Sequence, residues 1–271
     1  MPHLLITGAS AGIGRAAALE LVSTFSQITI IGRDPGRHDD LLRRLRGDGA
    51  NASHVECDLT SLDEVADAAV RIRDETTTST IDVLIANAGV AGARGITRDG
   101  FELHFGVNHV AHHLLVTELA DRITDRVVVL ASNAHYESTG VPLDRVRERT
   151  RSFTGLAEYQ NSKLANVLFG RELARRSPFA THIVHPGVVA TRIWRRIPWP
   201  IRPLVTRRMA SPAEGAQAVT WAATADGLES GGYYAARSRH EPSEEARDDM
   251  AARELWEKTE EWLAPFRRST R

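Results

Sequence analysis

Tyr159 and Lys163 stand four positions apart in Tyr159-Gln160-Asn161-Ser162-Lys163, a spacing that puts both side chains on one face of a helix. A phenol with a pKa near ~10 is a poor acid or base at neutral pH unless nearby positive charge stabilises its anion. A lysine one helical turn away supplies that charge. The chain holds only two lysines, Lys163 and Lys258, and four tyrosines. A pair at this spacing therefore arises by chance roughly 3% of the time for i,i+4 neighbours. The chemistry it points to is proton transfer, against the plainer alternative of a surface pair on a helix.

A second constellation lies at the N-terminus, where Thr7-Gly8-Ala9-Ser10-Ala11-Gly12-Ile13-Gly14 follows an apolar run and opens an amphipathic one. Gly8 permits a tight turn, Gly12 lets backbone approach a pyrophosphate, and Gly14 allows close helix–strand packing. A phosphate would sit at the helix N-terminus, on free N–H groups and the positive end of the dipole. The alternative is a plain strand-to-helix turn; a P-loop is excluded because no Gly-Lys-Ser/Thr follows. Dinucleotide sites choose between NAD and NADP at the end of the second strand, with an acid for a ribose hydroxyl or an arginine for a 2′-phosphate. Arg33 occupies that position and Arg15 flanks the glycine turn, so the expected cofactor is NADP(H), its 2′-phosphate held by both guanidiniums. Asp34, next to Arg33, reads as a helix or turn cap.

The elements that must position these groups alternate. Strands are expected at His3–Thr7, Gln27–Gly32, Ser53–Cys57, Ile81–Ala86, Arg126–Ala131 and Thr181–His185. Helices are expected from the glycine turn to about Val22, over Asp39–Arg46, after a Ser61/Glu64 capping box, over about Gly100–Arg122 and over Leu156–Arg176. Ser211-Pro212-x-Glu214 supplies an N-cap, an N1 proline and an N3 carboxylate for another. Continuous apolar strands joined by helices predict an α/β, Rossmann-type doubly wound parallel sheet covered on both faces. No repeat or linker divides the chain, so residues 1–271 read as a single domain.

These motifs together resemble the short-chain dehydrogenase/reductase family over about residues 3–235. The resemblance is carried, in order, by TGASAGIG at 7–14, Asp58, Asn87-Ala88-Gly89, Asn108, Ser132, Tyr159 with Lys163, and Pro186-Gly187 with Thr191. Within the family the chain is most similar to the retinol-dehydrogenase-like group, from GFELHFGVNHVAHHLL at 100–115, SKLANVLF at 162–169 and HPGVVATR at 185–192. The resemblance implies that Asp58 and Leu59 frame the adenine, that Asn87, Ala88 and Gly89 line the cofactor, and that Pro186, Gly187, Val189 and Thr191 lie along it, with Thr191 on the carboxamide. It implies hydride transfer between nicotinamide and a carbonyl carbon, with Tyr159 donating the proton to the oxygen. Ser132 then orients that oxygen, Lys163 lowers the tyrosine pKa and holds the ribose, and Asn108 holds a water linking Lys163 to solvent. Plainer roles are a strand-end cap for Ser132 and a helix residue bonding backbone for Asn108. Ser132 precedes Tyr159 by 27 residues, about twice the family's usual separation. The extra segment 133–158 either lines a substrate mouth or covers a helix face used elsewhere for oligomerisation, which leaves a homodimer open.

After Thr191 the family carries a substrate lid, here about 191–210. Trp194, Trp199, Ile193, Ile197 and Ile201 suit an apolar cover for a hydrophobic carbonyl or alcohol substrate. The six arginines between 192 and 208 suit an acidic substrate or a membrane surface, or else a solvated rim. His109 and His113 share an i,i+4 spacing but lack a third ligand at a telling distance, so no metal is expected. The C-terminal 244–263 stretch reads as an amphipathic helix with Leu255, Trp256, Thr259 and Leu263 near one face.

Composition narrows the setting. Of 271 residues 42% are hydrophobic and 25% charged, and 34 basic against 35 acidic groups leave a net charge of −1, which argues against nucleic acid as a partner. A lone cysteine, Cys57, excludes an intrachain disulfide and reads as a buried small hydrophobe. No apolar run approaches the ~18 residues of a span, and MPHLLITG is not built like a leader, so a cytoplasmic protein without stable membrane insertion is expected. Two functions fit the motifs: an NADP(H)-dependent oxidoreductase, or a non-catalytic NADP-binding sensor on the same fold.

Overall fold

The computed structural model describes residues 1–75, 80–187 and 211–268. Strands β1 (His3–Thr7), β2 (Gln27–Gly32) and β4 (Ile81–Ala86) fall on the expected residues, and β3 (Asn51–Glu56), β5 (Ile123–Leu130) and β6 (Ala180–His185) begin one to three residues early. The apolar runs of β1, β2, β4 and β6 and the end of β5 are buried on both sides of the pleat, which is why they are continuous rather than alternating. The sheet order is β3-β2-β1-β4-β5-β6-β7-β8, where β7 (Tyr233–Ala235) and β8 (Ser238–His240) are two short strands the sequence does not announce. The sheet is parallel as expected up to β7, and among the described strands β8 alone runs antiparallel to its neighbour, through a turn that holds Ala236 and Arg237 at positive φ.

Helices α1 (Gly12–Leu21), α2 (Asp39–Gly47), α3 (Leu62–Glu75), α4 (Leu103–Phe105), α5 (Ala111–Glu118), α6 (Leu156–Arg176) and α7 (Pro212–Thr224) cover the two faces. They enclose two apolar clusters, one centred on α3, α5 and α6, the other on α1, α2 and α7. The Ser211 capping box forms as expected, with Ser211 Oγ and the Glu214 carboxylate each taking the other's backbone N–H. The Ser61 box forms only by half. Ser61 Oγ accepts from Glu64 N, but the Glu64 carboxylate accepts from Asp58 N instead, because the Ser61 N–H is spent on the Asp58 carbonyl.

Two further expectations change. The helix expected over Gly100–Arg122 is α4, a π-turn (Gly106–Val110) and α5, ending at Glu118. The C-terminal helix is two pieces, α8 (Glu244–Arg247) and α9 (Asp249–Leu263), separated where Asp248 leaves helical geometry to cap α9 through its carboxylate. Leu255, Thr259 and Leu263 of α9 are buried, and Trp256 stacks on Phe169 of α6 with centroids 5.8 Å apart. His109 and His113 serve this packing, hydrogen-bonding Thr259 and Glu260 at 3.2 and 2.7 Å. The 133–158 segment, a 3-10 turn (Asn133–Glu137) followed by irregular chain, packs on residues 95–105. Val146 accepts from Glu102 N, and Thr150 donates its hydroxyl to the Glu102 carboxylate at 2.5 Å.

Candidate active site

Strand order reverses between β1 and β4, and the crevice outside the carboxyl ends of parallel strands at such a switch point is where open α/β sheets take ligands. A cleft of about 590 Å³ opens there. From the glycine turn it is lined by Gly8, Ser10, Ala11, Gly12, Ile13 and Gly14; from the end of β2, by Arg33; from the end of β3, by Asp58 and Leu59. Asn87, Ala88 and Gly89 line it after β4, Pro186 after β6, and Tyr159 with Lys163 close its far end from α6. Residues from Gly8 to Pro186 are thus brought into one cavity. Gly187 does not line it and stands in the left-handed region with φ +84°. Val189, Thr191 and the expected lid lie outside the described residues.

The glycines do what their positions require. Gly8 has φ +73°, and a Cβ there would stand 2.7 Å from the Ala88 backbone. A Cβ on Gly14 would stand 2.4 Å from the Asn87 amide nitrogen and 2.7 Å from the Gly8 carbonyl. Asn87 itself is pinned, donating Nδ2 to the Thr7 carbonyl at 2.7 Å. Above this floor Ala11 is the N-cap of α1 and offers no side-chain cap, and the first turn holds no acid. Uncapped N–H groups and a helix dipole thus face the cleft, a fit for the pyrophosphate of a dinucleotide.

At the β2 end the expected pair of arginines is corrected to one. Arg33 is exposed and lines the cleft, whereas Arg15 forms an ion pair with Asp40 of α2 and does not. Arg37, which the sequence reading missed, lines the cleft too and pairs with Asp34 at 3.0 Å, so Asp34 is a salt-bridge partner and caps nothing through its side chain. The available signal was the Arg33-x3-Arg37 spacing in one loop. His38, Ile31, Cys57, Thr60, Val90, Val107 and Leu130 also line the cavity unforeseen.

Lys163 is buried and donates Nζ to the Leu130 carbonyl at 2.9 Å, beside Asn166 Nδ2 at the same distance. Burial lowers its pKa to about 8. Burial raises the pKa of the Tyr159 phenol, and the nearby Ser132 hydroxyl offsets only part of that rise. In the protein alone the apolar surroundings disfavour both the phenol anion and its lysine partner, whose Nζ lies 5.8 Å from the phenol ring centre. Ser132 also caps the 3-10 turn that follows it, accepting from Ala134 N at 3.2 Å. His135 steadies that turn. Its Nε2 accepts from Ser243 N, so Nδ1 carries the proton given to the Ser132 carbonyl.

Asn108 sits in the π-turn, buried, and is not among the residues lining the cleft. Its Oδ1 accepts from Val90 N at 2.8 Å, and its Nδ2 donates to the Val90 carbonyl and to Ser162 Oγ, both at 3.0 Å. Ser162 Oγ in turn donates to the Tyr159 carbonyl at 2.8 Å. The Asn108 side chain is thus a brace: the amide's hydrogen bonds are spent tying the chain after β4 to α6.

With this geometry in place, comparison with known proteins is informative. A short chain dehydrogenase family model matches residues 2–141. Human (Homo sapiens) retinol dehydrogenase 13 is 34% identical over 93% of this chain and 82% of its own. A protein of Streptomyces sp. (strain C5), provisionally named daunorubicin C-13 ketoreductase DnrU, is 36% identical over 94% and 90%. Among solved structures, an uncharacterized protein from Mycobacterium paratuberculosis superposes with TM-score 0.82 at 29% identity, covering 97% of this chain and 94% of that one. A short-chain dehydrogenase from Sphingobium yanoikuyae in complex with NADPH gives 0.64 at 25%, covering 81% and 83%. The chain belongs to the short-chain dehydrogenase/reductase family, in its retinol-dehydrogenase-like group. It is an oxidoreductase with a nicotinamide cofactor.

Proposed function

We propose that the chain is an NADP(H)-dependent reductase that interconverts a carbonyl and an alcohol on a hydrophobic small molecule, with Tyr159 as general acid and base. The observation that carries this reading is the meeting of Tyr159 and Lys163 with the glycine turn around one cleft, with Ser132 two residues beyond the Leu130 carbonyl that holds Lys163. When bound, NADPH supplies the hydride. The Tyr159 phenol donates its proton to the carbonyl oxygen, which Ser132 orients; burial raises the phenol pKa, so donation needs the Lys163 charge beside it. Lys163 holds the ribose end and shares charge with the phenol as it gives up its proton. Gly8, Ser10, Ala11, Gly12, Ile13 and Gly14 cradle the pyrophosphate, and Asp58 and Leu59 frame the adenine.

The preference for NADP(H) rests on Arg33, exposed at the end of β2, and on Arg37, which offsets the charge of Asp34. An NADPH-bound structural neighbour supports it. The names of the relatives, a retinol dehydrogenase and a daunorubicin ketoreductase, support a lipophilic alcohol or ketone as substrate. A cytoplasmic location is proposed on the buried, unpaired Cys57. The test is Tyr159→Phe, assayed by NADPH consumption against a panel of apolar aldehydes and ketones. Turnover falls by at least about a thousandfold on loss of the proton donor, while NADPH affinity stays within a few-fold. A variant that turns over like the parent defeats the reading and favours the sensor.

A further inference from the structure

His112 of α5 is buried, takes no part in the proposed chemistry, and sits at the junction of β1, the chain after β4, and the π-turn. Its Nε2 lies 2.9 Å from Thr7 Oγ1 and its Nδ1 3.1 Å from the Asn108 carbonyl. The Thr7 hydroxyl already accepts two backbone N–H groups, from Asn87 at 3.0 Å and Ala88 at 2.9 Å. A hydroxyl has two lone pairs and one proton, so both lone pairs are spent and the proton must go to His112. Nε2 is therefore the bare nitrogen, Nδ1 carries the hydrogen, and that hydrogen is given to the Asn108 carbonyl. Every proton in the chain from Asn87 and Ala88 through Thr7 and His112 to Asn108 has one direction. Beyond Asn108 the same chain reaches Ser162 and the Tyr159 carbonyl.

We propose that His112 is a positioning residue for the nucleotide: by taking the Thr7 proton it holds both Thr7 lone pairs on Asn87 and Ala88, and so fixes the floor of the cleft on which Gly8 and Gly14 close. The proposal rests on the NADP(H) reading above. The imidazole does this as a neutral acceptor. It is fully enclosed, the nearby charge that acts on it is the Lys163 ammonium, and burial with that charge brings its pKa to about 4. Protonation would put a second donor against the Thr7 hydroxyl and turn one of its lone pairs away from the Asn87–Ala88 turn.

Side-chain mimicry separates this role from core filling and from proton shuttling. A glutamine amide can place its oxygen near Nε2 and keep the acceptor for Thr7, whereas an asparagine amide reaches only as far as Nδ1 and loses it. The experiment measures the NADPH dissociation constant by the fluorescence of the bound reduced nucleotide, with kcat and its pH profile, for H112F, H112N, H112Q, T7V and the T7V/H112F double variant. H112F, H112N and T7V are expected to bind NADPH about tenfold more weakly, the scale of one oriented hydrogen bond. H112Q should recover most of the loss, the double variant should be no weaker than either single one, and the kcat profile should keep its parental shape between pH 6 and 9.

H112F binding as tightly as the parent, losses that add in the double variant, or a limb of the pH profile lost with His112 would each overturn the proposal. A parent protein that binds no NADPH overturns the functional reading along with it, so the two failures are told apart. Should the phenylalanine and valine variants fail to fold, the imidazole nitrogen shifts of the parent decide. A protonated Nδ1 with a bare Nε2 supports the assignment, and the opposite tautomer ends it.

Discussion

The Lys163 ammonium donates to the carbonyl oxygen of Leu130 at 2.9 Å, and this contact ties the first turns of α6 to the last residue of β5. Ser132 follows Leu130 by two residues and Tyr159 precedes Lys163 by one turn, so the contact sets the serine and the tyrosine opposite each other. A buried amine held by a neutral carbonyl is poorly compensated for its charge, which is why its pKa falls to about 8. In the unfolded chain it titrates near its ordinary value. Between about pH 8 and 10 the unfolded state binds more protons than the folded one, so this group's contribution to stability rises with pH there, and below pH 8 it is constant. Urea unfolding of the parent and of Lys163→Met at pH 7 and pH 10 measures it. The advantage of the methionine variant should shrink by on the order of 3 kcal/mol from the lower pH to the higher.

Arg33 faces the cleft at the end of β2, where it is exposed. Arg33→Asp removes a charge-assisted contact to a 2′-phosphate and puts an acid in its place. NADPH affinity should drop about 10- to 100-fold while NADH affinity is kept or improved. Because the site is solvated, the parent's NADPH affinity should also weaken as ionic strength rises. Unchanged selectivity in the variant would remove Arg33 from the site.

Gly14→Ala drives a methyl group to 2.4 Å from the Asn87 amide and 2.7 Å from the Gly8 carbonyl. Neither can retreat, since Asn87 is bonded to Thr7 and Gly8 lies against Ala88. Overpacking of this kind costs about 1–3 kcal/mol, and here it also deforms the nucleotide cradle. Loss of NADPH binding larger than the loss of melting stability is the expected signature, measured by titration and by thermal unfolding with and without nucleotide.

Glu102 is buried, and its carboxylate accepts from His104 N, Phe105 N, His104 Nδ1 and the Thr150 hydroxyl. It caps α4 and anchors the 133–158 segment at once. Glu102→Gln turns an amide NH2 toward donors that need an acceptor, a loss of about 2–4 kcal/mol for a buried charged acceptor. Limited proteolysis should cut the variant between 138 and 155 well before the parent. Parental resistance there would show that the segment is held by other contacts.

The sequence announces what local physics determines. Runs such as Gln27–Gly32 and Ile81–Ala86 are apolar throughout and bounded by turn residues, and they fold as strands at those residues. The glycine turn is legible for a similar reason, because left-handed backbone and close approach select one residue type. The π-turn at Gly106–Val110 leaves no trace, since a wholly buried stretch has no face whose period changes. The strands at Tyr233–Ala235 and Ser238–His240 are three residues each, joined by Ala236 and Arg237 where a glycine or asparagine would have marked the turn. In the site, Tyr159 and Lys163 share a helix and declare themselves by spacing. Thr7 and His112 are 105 positions apart and meet only through the tertiary fold. The fate of Arg15 was equally hidden, because its partner Asp40 belongs to the next helix.

Cys57 lies at the end of β3 beneath the cleft, fully enclosed, with burial pushing its thiol up to about 12. At neutral pH almost none of it is thiolate, and the thiolate is the form that reacts. A maleimide or iodoacetamide can therefore modify this protein only during moments when the neighbourhood of β3 breathes open. With one sulfhydryl in the whole chain, the rate of that single alkylation becomes a clock for those openings, and occupancy of the cleft should slow it.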